Sequence, residues 1–204
     1  MPMIEVFADV RCPFTHVGLR RLVGQRATLG RDDVVVRVRA WPLELVNDAP
    51  LDGRLIAEEV DELRAQVAPD LFVGFDPGQF PASSLPALVL AAAAYDHSAS
   101  QGEAVSLAVR DALFEQGRDI ASPEVLLDIA GAAGIDLPTG GMRQRVLDDW
   151  QEGRERGVVG SPHFFVGTAD FFCPSLDITR VDGHLRITSD RAAFDAFLER
   201  CLDG

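Results

Sequence analysis

The sequence contains no lysine; all 19 of its basic residues are arginine. That skew reflects genome composition more than mechanism. Acidic residues number 32, so the formal net charge is −13. Nucleic acid and anionic membrane surfaces are poor partners for such a chain, because phosphate binding needs a basic patch. Cysteine is scarce: Cys12, Cys173 and Cys201 only. An odd, low count does not build a disulfide-stapled secreted scaffold. No apolar run approaches the ~18 residues needed to span a bilayer. The opening Met1-Pro2-Met3-Ile4-Glu5 has no charged region followed by an apolar stretch. It does not look like a secretory signal, and the expected location is the cytoplasm.

What the chain does have is ordinary for a globular protein with a real core: 47% hydrophobic and 25% charged residues. Its 204 residues allow one large domain or a small domain carrying an insertion. Ile4, Val6 and Ala8 alternate along Met3–Asp9, which predicts a strand ending just before a Cys-Pro pair. Pro13 suits a first helical position, with Cys12 as the cap of a helix running to about Leu29 and stopped by Gly30. Val34–Ala40 reads as a second strand. From about residue 50 to 157 the texture is helical, with segments at Ser84–Ser100, Ala104–Gln116, one opened by Ser122-Pro123-Glu124 and closed by Gly134, and Met142–Arg156. Strand character returns at His163–Val166. Gly167–Asp170 can turn the chain back into Phe171–Cys173, and Asp182-Gly183 suits a hairpin turn. Ser189 precedes a last helix with Phe194, Phe197, Leu198 and Cys201 on one stripe.

This order predicts an α/β fold: one sheet begun at residues 1–49 and completed at 158–204, with 50–157 inserted as an all-helical lobe covering one end. Ligands in such sheets sit outside the strand carboxyl ends, and Cys12 is there.

A thiol at a helix N-terminus faces unpaired backbone N–H groups and the positive end of the helix dipole, which favours thiolate. Such cysteines reach pKa values of roughly 3.5–7.5, against about 8.5 when free. Thr15 can donate a hydrogen bond to the sulfur but cannot form a disulfide. His16 follows Cys12 by four residues; two ligands do not make a metal site, no metal is expected, and a partly exposed first-turn histidine is the preferred reading. Phe14 is placed as a wall of the thiol pocket. The other recurring signal is Gly160-Ser161-Pro162-His163-Phe164-Phe165-Val166, a proline at the entrance of an apolar strand.

Together these segments resemble the DsbA-like thioredoxin superfamily, in particular its cytoplasmic branch of FrnE-type disulfide isomerases, 2-hydroxychromene-2-carboxylate isomerases and kappa-class glutathione transferases. Asp9, Cys12, Pro13, Gly18, Arg20, Arg21 and Leu22 match a D-x-x-C-P-x-x-x-x-G-x-R-R-L opening. Gly117-Arg118-Asp119-Ile120 with Val125-Leu126 matches a G-x-D-I…V-L turn, and Gly160-x-Pro162 with Phe164 and Val166 matches a G-V-P-T-F-V loop. The resemblance implies a thioredoxin-like domain with an inserted helical domain, catalysis through Cys12 and Thr15, and a cis Ser161–Pro162 bond beside Cys12. Pro13, Phe14, Ser161, Pro162, His163 and Cys173 would then line the substrate groove. Two departures matter. Thr15 replaces the second cysteine of C-x-x-C, so an internal two-cysteine cycle at the motif is excluded. The isomerase branch carries Ser where Cys12 stands.

These features favour a monothiol thiol–disulfide oxidoreductase or thiol transferase. No tightly bound cofactor is expected, and a low-molecular-weight thiol such as glutathione or mycothiol would be the co-substrate. A thiol-dependent isomerase or transferase of aromatic substrates, and a non-enzymatic peptide-binding module, are the alternatives. Partners would be a small thiol or a protein disulfide, and the resemblance, whose members are often dimers, adds a homodimer as a further expectation. His163 is read either as a groove residue that assists proton transfer or as a surface residue on the strand. Cys173, placed about opposite Phe164, is read as lining the groove or core in preference to acting as a resolving thiol. Cys201 is read as core.

Overall fold

The structure is a computed structural model that describes residues 3–138 and 141–202. Strand β1 (Met3–Ala8) is followed by helix α1 (Pro13–Thr28) and strand β2 (Val35–Ala40). β1 and β2 pair in parallel, with Ile4 beside Val36 and Val6 beside Val38. A parallel pair needs a crossover, and α1 supplies it. Strands β3 (His163–Val166) and β4 (Ala169–Phe172) complete the sheet in the order β2-β1-β3-β4, both added antiparallel.

The central position of β1 explains its sequence. Val6, Phe7 and Ala8 are all fully buried, because both faces of the sheet are covered. On one face Ile4, Val6 and Ala8 pack with Leu19 and Leu22 of α1 and with Phe197, Leu198 and Cys201 of the last helix, α8 (Arg191–Leu202). On the other, Phe7 meets Trp41 and Val158.

Between β2 and β3 the described residues form helices only: α2 (Leu43–Val46), α3 (Gly53–Gln66), a 3-10 turn at Pro77–Gln79, α4 (Leu85–His97), α5 (Ala99–Phe114), α6 (Pro123–Ala133) and α7 (Met142–Glu155). α3 falls in the stretch of general helical texture; Asp52 caps it by accepting from the Arg54 N–H at 2.8 Å, and Ile56, Val60 and Leu63 form its buried stripe. α5 begins at Ala99, not Ala104. Ser98 accepts from the Gln101 N–H at 3.1 Å, and Gly102 weakens the helical pattern there because it must admit the Tyr95 ring, 2.1 Å from any Cβ built on it. α7 lies over the sheet: Arg39 of β2 pairs with Asp149 and Glu152. A Cβ on Gly153 would stand 2.6 Å from the Trp41 ring.

The expectation of one sheet needs correction. Strands β5 (Asp177–Val181) and β6 (His184–Thr188) form a separate two-stranded ribbon. Its apolar residue Ile187 joins the same cluster as Ile56, Val60 and Leu63 of α3, with Leu185 and Ile178 packed against it. The Gln66 side chain binds the ribbon like a short strand, donating to Leu185 O at 3.1 Å and accepting from the Ile187 N–H at 2.9 Å. Burial against α3 wins over extension of the sheet at β4.

Candidate active site

Cys12 is the N-cap of α1, with Pro13 as its first residue, φ −81° and ψ 115°. It follows the end of β1, so the sulfur stands at the carboxyl edge of the sheet. The Sγ–H donates to Ser161 O at 3.1 Å. The Ser161–Pro162 peptide is cis. The Pro162 ring lies over Gly18, its Cγ 3.7 Å from where a Cβ on that glycine would be. The Ser161 hydroxyl accepts from the Asp9 N–H at 3.0 Å and shares a 2.8 Å hydrogen bond with the Thr15 hydroxyl. One serine thus joins the end of β1, the first turn of α1 and the proline loop.

The thiol is closed in, only 4% exposed. Burial pushes its pKa up, while the Thr15 hydroxyl and N–H and the Ser161 hydroxyl pull it down, and Glu59 of α3 pushes it up again. The expected depression below the free-thiol value is therefore not what the resting arrangement produces. Desolvation outweighs the donors at the helix start. Glu59 of α3 is half-buried beside Val60, and burial raises it to about 7.

Beneath Cys12 lies a buried polar cluster that the sequence did not reveal. Asp9 accepts from the Arg11 N–H at 2.8 Å, the Leu43 N–H at 2.7 Å and the Ser84 hydroxyl at 3.2 Å. Arg11 reaches Glu44 at 3.0 Å and the carbonyls of Pro81 and Ala82 at 3.3 Å. The motif arginines have structural partners: Arg20 pairs with Asp111, and Arg21 donates to Ser175 O, Val67 O and the Ser189 hydroxyl. Asp9 was visible only as a motif letter, and Arg11 carried no signal at all.

Several candidate residues stand differently from expectation. His16 is buried, held between Phe72 and Phe114, and its Nε2 meets Glu115 at 2.6 Å. His163 is also buried: Nδ1 accepts from the Val159 N–H at 3.3 Å and Nε2 meets Asp170 at 3.0 Å. With both nitrogens engaged it braces the loop before Pro162 and is not free to move a proton at the sulfur. Phe14 is half-buried and packs on the helical lobe's core. Cys173 does not lie opposite Phe164, which pairs with Phe171; the turn is Gly167-Thr168 alone, so Cys173 is displaced to Pro162 and donates its N–H to Pro162 O at 3.0 Å. Its φ is +44°. Burial, and then Cys12, push the Cys173 thiol up to about 12. Cys201 is buried among Phe197, Leu198 and Leu202.

The sequence from residue 3 to 186 matches the model of the DSBA-like thioredoxin domain. No curated protein matches it significantly. Among solved structures, a Nitrosomonas europaea protein classed as a candidate protein disulfide isomerase is 18% identical, with a TM-score of 0.69 over 99% of this chain and 96% of the other. The cytosolic disulfide reductase DsbM of Pseudomonas aeruginosa, solved with GSH, is 17% identical, with a TM-score of 0.63 over 99% and 100%. A 2-hydroxychromene-2-carboxylate isomerase is 18% identical, with a TM-score of 0.62 over 83% and 88%. The α/β fold, the cysteine-capped helix beside a proline loop and the family match agree: the chain belongs to the DSBA-like thioredoxin domain family.

Proposed function

We propose that this protein is a monothiol oxidoreductase or thiol transferase acting through Cys12, with glutathione, mycothiol or a similar small thiol as co-substrate in the cytoplasm. The observation that carries this reading is the Cys12–Ser161 pair, a helix-capping thiol on the loop of Pro162 with Thr15 in the resolving position. The Cys12 thiolate attacks one sulfur of a disulfide R–S–S–R′. A Cys12–S–S–R bond forms as the substrate bond breaks, and R′S⁻ leaves and takes a proton from water. An external thiolate then attacks the adduct, freeing Cys12 and carrying away R as a new disulfide. The substrate is reduced and the small thiol oxidised. Thr15 and the Ser161 hydroxyl stabilise the thiolate at each release. That a similarly folded disulfide reductase was solved with GSH supports a glutathione-type thiol.

Intact-mass measurement after exposure to oxidised glutathione tests this. One adduct on Cys12 that persists until free thiol is added is the expected result. Rapid formation of a Cys12–Cys173 disulfide instead would overturn the monothiol mechanism, and an inert Cys12 would point to a peptide-binding module.

A further inference from the structure

In the register of β3 and β4, His163 lies opposite Phe172 and Phe165 opposite Asp170. Side chains alternate along a strand, so these four share one face of the sheet. Diagonal neighbours on such a face are within reach of each other, and His163 meets Asp170 this way. The His163 ring stacks on Phe165 with centroids 4.8 Å apart and stands edge-to-face with Phe172 at 6.0 Å. It is held in place and only 3% exposed.

The two ring contacts together fix where the proton sits. A carboxylate has no hydrogen to give, so Nε2, 3.0 Å from Asp170, must carry the proton and donate it. A backbone N–H can only donate, so Nδ1, 3.3 Å from the Val159 nitrogen, must be bare. Both hydrogen bonds coexist in one form alone, the ring with a single proton on Nε2. The Asp170 side chain is 62% exposed, so the contact adds little stability by itself. Its effect is to select the tautomer. With the proton on Nδ1, two N–H groups would face each other and Val159 would lose its tie.

Val159 belongs to the loop between α7 and β3. Just before it, the Val158 N–H donates to Gly153 O at 2.9 Å. Just after it, the Phe172 ring lies on Gly160, where an added Cβ would stand 2.6 Å from the ring. Next comes Ser161, whose carbonyl oxygen lies 3.1 Å from the Cys12 sulfur. Side chains of β3 and β4 thus hold the two residues that precede the one closing over the thiol.

We propose that Asp170 and His163 form a tautomer-locked brace that keeps the proline loop closed on Cys12. Both are positioning residues. They act through Val159 and Ser161 on how firmly the thiol is shut away. The inference rests on Cys12 being the reactive thiol.

The test is the rate of Cys12 carbamidomethylation by iodoacetamide at pH 8, followed by peptide mass spectrometry. His163→Asn puts an amide oxygen near the place of Nδ1, so Val159 keeps an acceptor. His163→Gln puts its amide near the place of Nε2 and leaves Val159 without one. In His163→Gln the loop is freed and labelling should speed up about fivefold, the equivalent of one net hydrogen bond. His163→Asn should stay close to wild type. Asp170→Ala should label about twofold faster, since it removes an exposed partner only. A wild-type rate in His163→Gln, or equal rates in the Asn and Gln variants, would overturn the proposal. A second measurement needs no variant to fold. Nitrogen NMR of the His163 ring in the wild type should show the proton on Nε2 and a bare Nδ1; a proton on Nδ1 also overturns it. A wild-type Cys12 that never alkylates would sink the functional reading itself, and this inference with it, whereas failure of the brace alone leaves Cys12 reactive.

Discussion

The Cys12 sulfur and the Ser161 carbonyl oxygen stand 3.1 Å apart, with the thiol donating. The bond holds Cys12 in its protonated form, since a thiolate has no hydrogen to give and would repel that oxygen. Activation must therefore break it, and a substrate backbone or sulfur entering at the loop can do so. Wild-type protein should alkylate faster at Cys12 than at Cys173 or Cys201, both pushed to about 12 by burial. Iodoacetamide labelling of either of those first, in native protein, would show that the wrong thiol has been chosen.

Thr15→Val removes a hydroxyl that faces the sulfur and the Ser161 hydroxyl while nearly keeping the shape. A hydrogen bond to a charged group is worth about 1.5–3 kcal/mol, so the thiolate should become about tenfold rarer or more. The measurement is the inflection of the alkylation rate against pH, which should rise.

Thr15→Cys restores a resolving thiol one helical turn from Cys12. A mixed disulfide with glutathione that is stable in wild type should then decay by internal attack, within the time of a mass-spectrometry series. Cys173→Ser should leave the wild-type adduct's lifetime unchanged. A longer life in that variant would mean that Cys173 resolves after all.

The His16–Glu115 contact sets an acid limit on stability. Against its own desolvation, Glu115 is held down to about 2 by His16 and by the N–H groups of Phe72 and Val73. A carboxyl depressed on folding contributes stability that is present above its unfolded value and lost as pH falls from about 4.3 toward 2. Burial also lowers His16, so protons bind the unfolded chain more readily below about 6.5. Both terms weaken the fold on acidification. Glu115→Gln should lower Tm at pH 7 and flatten the melting profile between about pH 4.3 and 2; equal slopes in the two proteins would refute the assignment.

Gly153→Ala places a methyl 2.6 Å from Trp41 and 3.0 Å from Phe7. α7 must lift from the sheet, at a cost of about 1–3 kcal/mol. Urea unfolding should show a lower midpoint with little change in slope.

The parts of this protein that were readable in the sequence are those governed by local rules. Ile4, Val6 and Ala8 repeat with period two, and Pro13 just after Cys12 suits the first position of a helix. The hidden parts depend on partners distant in the chain. Arg110 reads as one more charge on a helix surface until Asp9 is seen to lie above it. His16 looks exposed until Phe72 and Phe114 close around it. The position of Cys173 turned on whether two or four residues make one turn, and a difference of two residues moved it from Phe164 to Pro162. A helix end by itself favours a low thiol pKa, and the enclosure that raises it at Cys12 is built by residues distant in the chain.

The ribbon docked on α3 has a consequence for synthesis. The apolar stripe of Ile56, Val60 and Leu63 is made early, but Ile187, which covers it, and the backbone groups of Leu185 and Ile187 that bind the Gln66 amide come from the last strand. Domains generally fold as units as the chain emerges, N-terminal first. Here the lobe leaves the ribosome with one side bare and is closed only when β6 arrives. The carboxyl-terminal residues thus finish two bodies at once, the lobe through β6 and the sheet through α8. A nascent chain stopped before β5 would present a greasy flank to the cell's holdases.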